Sequence, residues 1–121
     1  MPGLHLLGAT GDMVGAEVEM TSMEGKEFLL RRALNGLKAG YEFVIIDCPP
    51  SLGMLTINSL NTSNYLIIPA LCEYFTLDGL SQLGNTYSII KESSNADLIV
   101  MGVIITMYID NDDYHKEVYN L

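Results

Sequence analysis

Basic residues are scarce in this chain: 6 Lys and Arg stand against 15 Asp and Glu, a formal net charge of -9 at pH 7. Nucleic-acid phosphates are gripped by clustered Lys and Arg, so the surface of this segment is not a nucleic-acid footprint. Lys26, Arg31, Arg32 and Lys38 fall on one expected helix, where a solvated helix face accounts for them. Cysteine is equally sparse. Cys48, Cys72, His5 and His115 are the only thiols and imidazoles, and no two of them have metal-ligand spacing. Reduced thiols and a cytoplasmic location are therefore expected. Long apolar runs are missing too: the longest, Leu98 to Met107, is far short of a membrane span. Leu4 to Leu7 is too short for the apolar region of a secretory leader, and no basic segment precedes it. Neither internal repeats nor low-complexity segments occur.

What the chain does have is apolar content, 49% of its 121 residues, enough for one domain with a core. Apolar runs alternate with amphipathic stretches. Leu4 to Ala9 reads as a short strand closed by Gly8 and Gly11, with His5 as a packed or edge histidine. Asp12 can cap a helix through Met13, Val14, Ala16, Val18 and Met20, which would turn Glu17 and Glu19 outward. Thr21 with Glu24 has the form of a capping box, and Phe28, Leu29, Ala33, Leu34 and Leu37 repeat at helical spacing up to a stop at Gly40. Tyr65 to Pro69 reads as a strand ended by proline, after a polar break from Asn61 to Asn64. A long helix is expected from an N-cap at Thr76 through Leu77, Leu80, Leu83, Tyr87 and Ile90 to about Ser93, weakened by Gly79 and Gly84. Leu98 to Met107 is the last strand, with Gly102 allowing a close backbone approach, and the acidic tail after Asn111 begins a further helix. Strand, stop, helix is the βαβ rhythm of an α/β fold with a mostly parallel sheet.

The stretch with chemistry is Phe43-Val44-Ile45-Ile46-Asp47-Cys48-Pro49-Pro50-Ser51. Its first four residues are apolar without polar alternation, the pattern of a strand covered on both faces. Asp47 is the first charge, and Pro49 and Pro50 offer no backbone N–H, so the chain leaves the sheet there. An acid at the carboxyl end of a strand is where open α/β sheets bind ligands and where nucleotide hydrolases hold Mg²⁺. An Asp before proline also simply starts turns, and this motif alone leaves both readings open. Ser51 then stands as N-cap of a helix with Leu52, Leu55, Ser59 and Leu60 on one face.

The block Asp47-Cys48-Pro49-Pro50-Ser51-Leu52-Gly53, followed by Leu55-Thr56-Ile57-Asn58, resembles the Walker B and switch II segment of the ParA/Soj chromosome and plasmid partitioning ATPases. Cys72 to Leu83 and Gly102 to Tyr108 resemble two later blocks of that family, in the same order and at the same spacing. Gly15-Ala16-Glu17 after Asp12 matches a further pattern to which no chemistry is assigned. The resemblance runs from about Leu4 to Tyr108. It implies a P-loop NTPase-like fold of the ParA/MinD type, with Asp47 orienting Mg²⁺ through a water ligand and acting in catalysis. Cys48, Pro49, Pro50 and Ser51 would form the switch that senses the terminal phosphate, and Thr106 and Met107 would border the adenine. Glu73, beyond the preceding strand, reads as structural or solvated rather than catalytic.

The departures from the family matter as much. A phosphate-binding loop needs backbone amides, a Lys and a hydroxyl around the phosphates. The only Gly-Lys pair, Gly25-Lys26, precedes a helix and is followed by Glu27, so it is not that loop. No basic residue occurs from Ile109 to Asp113, where the family has an Arg, which puts an adenine or partner contact there in doubt. Residues 1–121 are therefore expected to be a single, partial domain, an internal fragment lacking the phosphate-loop part and the C-terminal part, and inactive alone. The parent implied by the resemblance binds ATP and Mg²⁺, forms a homodimer, meets a ParB-like centromere-binding protein, and contacts DNA nonspecifically through regions outside this chain, without membrane. A MinD-like division-site ATPase and a non-catalytic interaction module on the same fold are the alternatives. The family's sheet order also implies two gaps, one on each side of Phe43 to Ile46, left by strands this chain does not contain.

Overall fold

The β-branched runs expected to be strands near the middle and end of the chain do pair. In the computed structural model, which describes residues 3–37 and 40–119, β1 (Tyr65–Leu71) and β2 (Ile99–Thr106) form a two-stranded parallel sheet. The 20-residue helix α4 (Tyr74–Ser93) makes the crossover. Preceding elements are α1 (Met13–Met20), a 3-10 turn at Lys26–Phe28, α2 (Leu29–Leu34) and α3 (Met54–Thr62); α5 (Asp113–Tyr119) follows the sheet. This is the α/β arrangement of parallel strands flanked by helices. Pairing runs from Tyr65↔Ile99 to Leu71↔Thr106, with a slip after Leu66↔Val100 that leaves Met101 unpaired. Gly102, at φ +156°, absorbs that bulge; nothing lies within 4 Å of a Cβ built there, so the glycine serves the bulge and not a close approach.

The apolar core is small. Leu60 of α3, Ile90 of α4 and Leu98 at the start of β2 pack together, with Ile57, Leu66 and Tyr87 against them. Around it the chain uses polar side chains. α3 buries Thr56, Asn58, Ser59, Asn61 and Thr62 as well as Leu60, so it is covered on nearly all sides. Burial of an amide is tolerated only when its hydrogen bonds are made. Asn58 Nδ2 donates to Lys26 O at 2.8 Å and Met54 O at 2.9 Å, while its Oδ1 accepts from Leu30 N at 3.1 Å. Asn61 Nδ2 donates to Glu27 O at 3.0 Å, and its Oδ1 accepts from Ser94 Oγ at 2.6 Å. From the other side, Asn95 Nδ2 donates to Leu60 O and Ser63 O, satisfying carbonyls at the end of α3. Among the described residues no buried side-chain nitrogen or oxygen is left without a partner.

Several local expectations are corrected. Leu4 to Ala9 and Phe43 to Ile46 are not paired strands: neither segment has regular secondary structure, and Leu6 and Ile45 are 93% and 92% exposed. An apolar run encodes a preference for cover but cannot supply the neighbouring strands, and no described segment fills those positions. His5 Nδ1 and Tyr41 Oη lie 2.9 Å apart with their rings edge-on, and that contact ties the two segments together. His5 is exposed and belongs to no strand, so it is neither packed in a core nor at a sheet edge. Asp12 sits at the N-cap of α1 without a side-chain cap bond. Thr21 bonds back to Val18 O and so finishes α1 instead of opening the next helix. That helix is a 3-10 turn plus the short α2, ending at Leu34; Lys38 and Ala39 lie outside the described residues. Arg32 turns back to Gly25 O and Lys26 to Thr21 O. Asn61 lies inside α3, because tertiary hydrogen bonds outweigh its preference for a turn. β1 runs through Pro69 to Leu71, with Pro69 opposite Ile104 and no strand on its other side, where a missing N–H costs nothing. α4 starts at Tyr74 with Glu73, not Thr76, as N-cap.

Two outcomes are expected from this architecture. Asn58→Leu should destabilise the chain by about 2–4 kcal/mol in urea unfolding, since it strands the Leu30 N–H and the Lys26 carbonyl in a part-buried site; an unchanged midpoint would contradict the role given to Asn58. Both outer edges of the sheet and the apolar faces of residues 4–9 and 43–46 are uncovered, so the isolated chain should self-associate as concentration rises. Size-exclusion chromatography with light scattering, run over a concentration series, checks this, and a monomer at all concentrations would oppose it.

Candidate functional site

Asp47 stands where the apolar segment Phe43 to Ile46 ends, and it is exposed. Pro49 and Pro50 forbid a ladder beyond it, so the chain turns through Ser51 to Gly53 before α3 begins at Met54. Cys48, Pro49, Pro50 and Ser51 are all exposed, with Cys48 a free thiol whose Sγ lies 3.9 Å from Ile46 O. Ser51 does not cap α3; its carbonyl accepts from Thr56 Oγ1, which fastens the loop to the first turn. The N-cap is Gly53, without a side chain to offer, and the acceptor comes from elsewhere: Glu17 Oε1, on α1, takes the N–H of Leu55 at 3.1 Å. Glu17 is therefore half-buried and turned toward α3, against the expectation that it faces outward. The motif Gly15-Ala16-Glu17 was visible in the sequence, but a contact to a residue so distant in the chain leaves no periodic signal.

At the carboxyl end of the sheet, Thr106 is half-buried and its Oγ1 donates to Ala70 O at 3.2 Å. Met107 follows, exposed and held at φ +55°, a left-handed conformation that costs a non-glycine residue about 1–2 kcal/mol. Beyond it the loop to α5 is closed by His115, whose Nδ1 accepts from Ile109 N at 3.0 Å, and by Asp112, whose carboxylate accepts from Tyr114 N at 2.9 Å. Cys72, buried after β1, donates to His115 O, while Glu73 beside it is exposed. No hydrogen bond or ion pair among the described residues joins Asp47 to Ser51 with Thr106 or Met107.

Chemically the arrangement offers one free carboxylate on a loop braced at its far end. Among the described residues no three or more His, Cys, Asp or Glu gather as a metal cage. A Mg²⁺ ion keeps several waters and needs only one or two carboxylates when phosphates supply the rest. Asp47 fits that part. The phosphate-holding part has no residues in this chain to supply it.

Residues 1–100 match the family model described as AAA domain. The chromosome partitioning protein ParA of Myxococcus xanthus is 48% identical over 105 residues, which cover 87% of this chain and 37% of that protein. The sporulation initiation inhibitor protein Soj of Bacillus subtilis is 47% identical over 104 residues, 86% of this chain and 41% of that protein. The chain belongs to the AAA domain family, in its ParA/Soj branch. It spans well under half the length of these relatives. Among solved structures, cobyrinic acid a,c-diamide synthase from Mycobacterium smegmatis aligns with a TM-score of 0.87 at 37% identity, over 93% of this chain and 46% of that one. The same synthase has been solved with ADP and magnesium bound. A plasmid partition protein from Borrelia burgdorferi aligns with a TM-score of 0.70 at 30% identity, over 82% of this chain and 41% of that one. The resemblance to ParA/Soj proteins and the P-loop NTPase-like fold are thereby established for this member. No helix among the described residues is long and apolar enough to cross a membrane.

The left-handed Met107 gives a test of the sheet's carboxyl edge. Met107→Gly removes the backbone strain and, because the side chain is exposed, little packing; thermal or urea unfolding should show a gain of about 0.5–1 kcal/mol. A loss instead would show that the side chain is held by contacts worth more than the strain.

Proposed function

We propose that this chain is the metal-orienting and switch portion of a ParA-like partition ATPase that hydrolyses ATP with Mg²⁺ to segregate a chromosome or plasmid. The observation that carries the reading is the Asp47-Cys48-Pro49-Pro50-Ser51-Leu52-Gly53 loop, leading from the apolar segment Phe43 to Ile46 into α3, in a chain 48% identical over 105 residues to a partitioning protein. Asp47 holds the ion through a water ligand and is the residue on which turnover depends. Bound Mg²⁺ neutralises charge that develops on the terminal phosphates. Cys48 to Ser51, all exposed and leading to the first turn of α3, form the switch. Thr106 and Met107 border the adenine. The binding energy for a nucleotide lies mostly in amides and a Lys around its phosphates, which this chain lacks, so activity belongs to a protein that carries that loop as well. In that setting the domain works as a cytoplasmic, nucleoid-associated homodimer stimulated by a ParB-like centromere-binding protein, with nonspecific DNA contacts outside these residues.

Titration calorimetry and a phosphate-release assay test the reading. The 121-residue chain alone should neither bind ATP with Mg²⁺ measurably nor hydrolyse it, whereas the full-length protein with its phosphate loop does both. In the full-length protein Asp47→Ala should lower turnover by about 10²–10³-fold with a much smaller change in nucleotide affinity. Magnesium-dependent hydrolysis by this chain alone, or full turnover by the Asp47→Ala protein, would place the site elsewhere. A full-length protein that binds no ATP at all would favour the interaction module.

A further inference from the structure

The loop that carries Asp47 is fixed at one end by the sequence of prolines and at the other by α3, yet α3 brings no cap of its own. Its N-cap residue is Gly53, no side-chain cap bond comes from within the helix, and no acid lies in its first turn. Four N–H groups open every helix start, and a carboxylate there is favoured both as acceptor and by the helix dipole. Glu17 supplies it from α1, accepting Leu55 N at 3.1 Å. Three residues on, one turn away on the same face, Met20 places its Sδ 3.8 Å from Asn58 Nδ2. Glu17 thus holds the start of α3 by a hydrogen bond, while Met20 packs against it one turn later.

Gly53 shows how closely this brace is fitted. Its backbone, at φ -78° and ψ -171°, is ordinary extended chain open to any residue, so no conformational demand explains the glycine. A Cβ added there would overlap Glu17 Oε1, with Cδ at 3.0 Å and Oε2 at 3.1 Å. The glycine makes room for a carboxylate arriving from another helix. The approach and the hydrogen bond are two aspects of one contact.

We propose that Glu17 is a positioning residue for the Asp47 loop: by holding the Leu55 N–H it fixes where α3 begins, and so where the chain from Asp47 to Gly53 must end. The part played in turnover rests on the ATPase reading of that loop; the brace itself does not. Ser51 O bound by Thr56 Oγ1 transmits the setting of the first turn to the residue just past the two prolines. Met54 is reached with a single geometry as long as Glu17 is in place, and the loop loses that registration when it is not.

Amide hydrogen exchange in the 121-residue chain provides the first test. Glu17→Ala and Gly53→Ala should each speed exchange at Leu55 by about five- to tenfold, the first by deleting the acceptor and the second by displacing it. Glu17→Gln, whose amide oxygen can still accept, should stay near wild type. The double variant should exchange no faster than either single, because both remove the same bond. Unchanged exchange in Glu17→Ala, or effects that multiply in the double variant, would overturn the proposal. A second test uses the full-length protein with its phosphate loop: Glu17→Ala should lower kcat at least about tenfold with KM for ATP changed less than about twofold, and Glu17→Gln should restore most of it. If Asp47→Ala abolishes turnover while Glu17→Ala leaves it intact, the positioning role is wrong. If the exchange results hold and neither substitution alters turnover, it is the ATPase reading of the loop that fails.

Discussion

A single buried amide holds the helical half of this chain together. Asn58 reaches Lys26 O, Met54 O and Leu30 N from one side chain, and so joins the 3-10 turn, α2 and α3 at a point no apolar residue could occupy without stranding the Lys26 carbonyl and the Leu30 N–H. Asn61 repeats the device one turn later toward Glu27 and Ser94, and Asn95 returns it from the far end of α4. With a core of only Leu60, Ile90 and Leu98 at its centre, the fold relies on directional bonds to set which segments meet. Hydrophobic burial is tolerant of small shifts, whereas a multiply bonded amide accepts very few geometries.

The same dependence governs the candidate site. Among the described residues no hydrogen bond or ion pair holds Asp47, and the loop around it is exposed but fastened to the first turn of α3. The likeness both to partitioning proteins and to a synthase solved with ADP and magnesium bound shows that the scaffold is not tied to one cellular task. Function must then be argued from Asp47 and its neighbours, with the fold supplying position only.

Much of this was readable in advance where the signal is local. β1, α4 and β2 follow from apolar runs and from Leu80, Leu83, Tyr87 and Ile90 at helical spacing, and the bounds of α1 match the expected ones. The motif around Asp47 was legible as well, through its family resemblance. What failed was everything decided by partners far away in sequence. Phe43 to Ile46 has the composition of a covered strand and remains uncovered, because cover is a property of neighbours. Asn61 resembled a turn residue and is 2% exposed within a helix. Thr21, Ser51 and Thr76 had the chemistry of N-caps, but Glu17 shows that a cap can be delivered from a different helix, where spacing carries no trace of it.

The bulge at Met101 has a bearing on the far end of β2. Side chains along a strand alternate between faces, so one unpaired residue reverses the parity of all that follow. Without it, Leu71 would stand opposite Ile105, and Thr106 would be carried to the face it now avoids. The slip after Leu66 instead aligns Leu71 with Thr106 and lets the threonine hydroxyl reach Ala70 O. An odd-numbered insertion early in the strand therefore sets which face its exit presents, and the orientation of the edge at Thr106 and Met107 is settled several residues upstream, beside a glycine with open space where a side chain would stand.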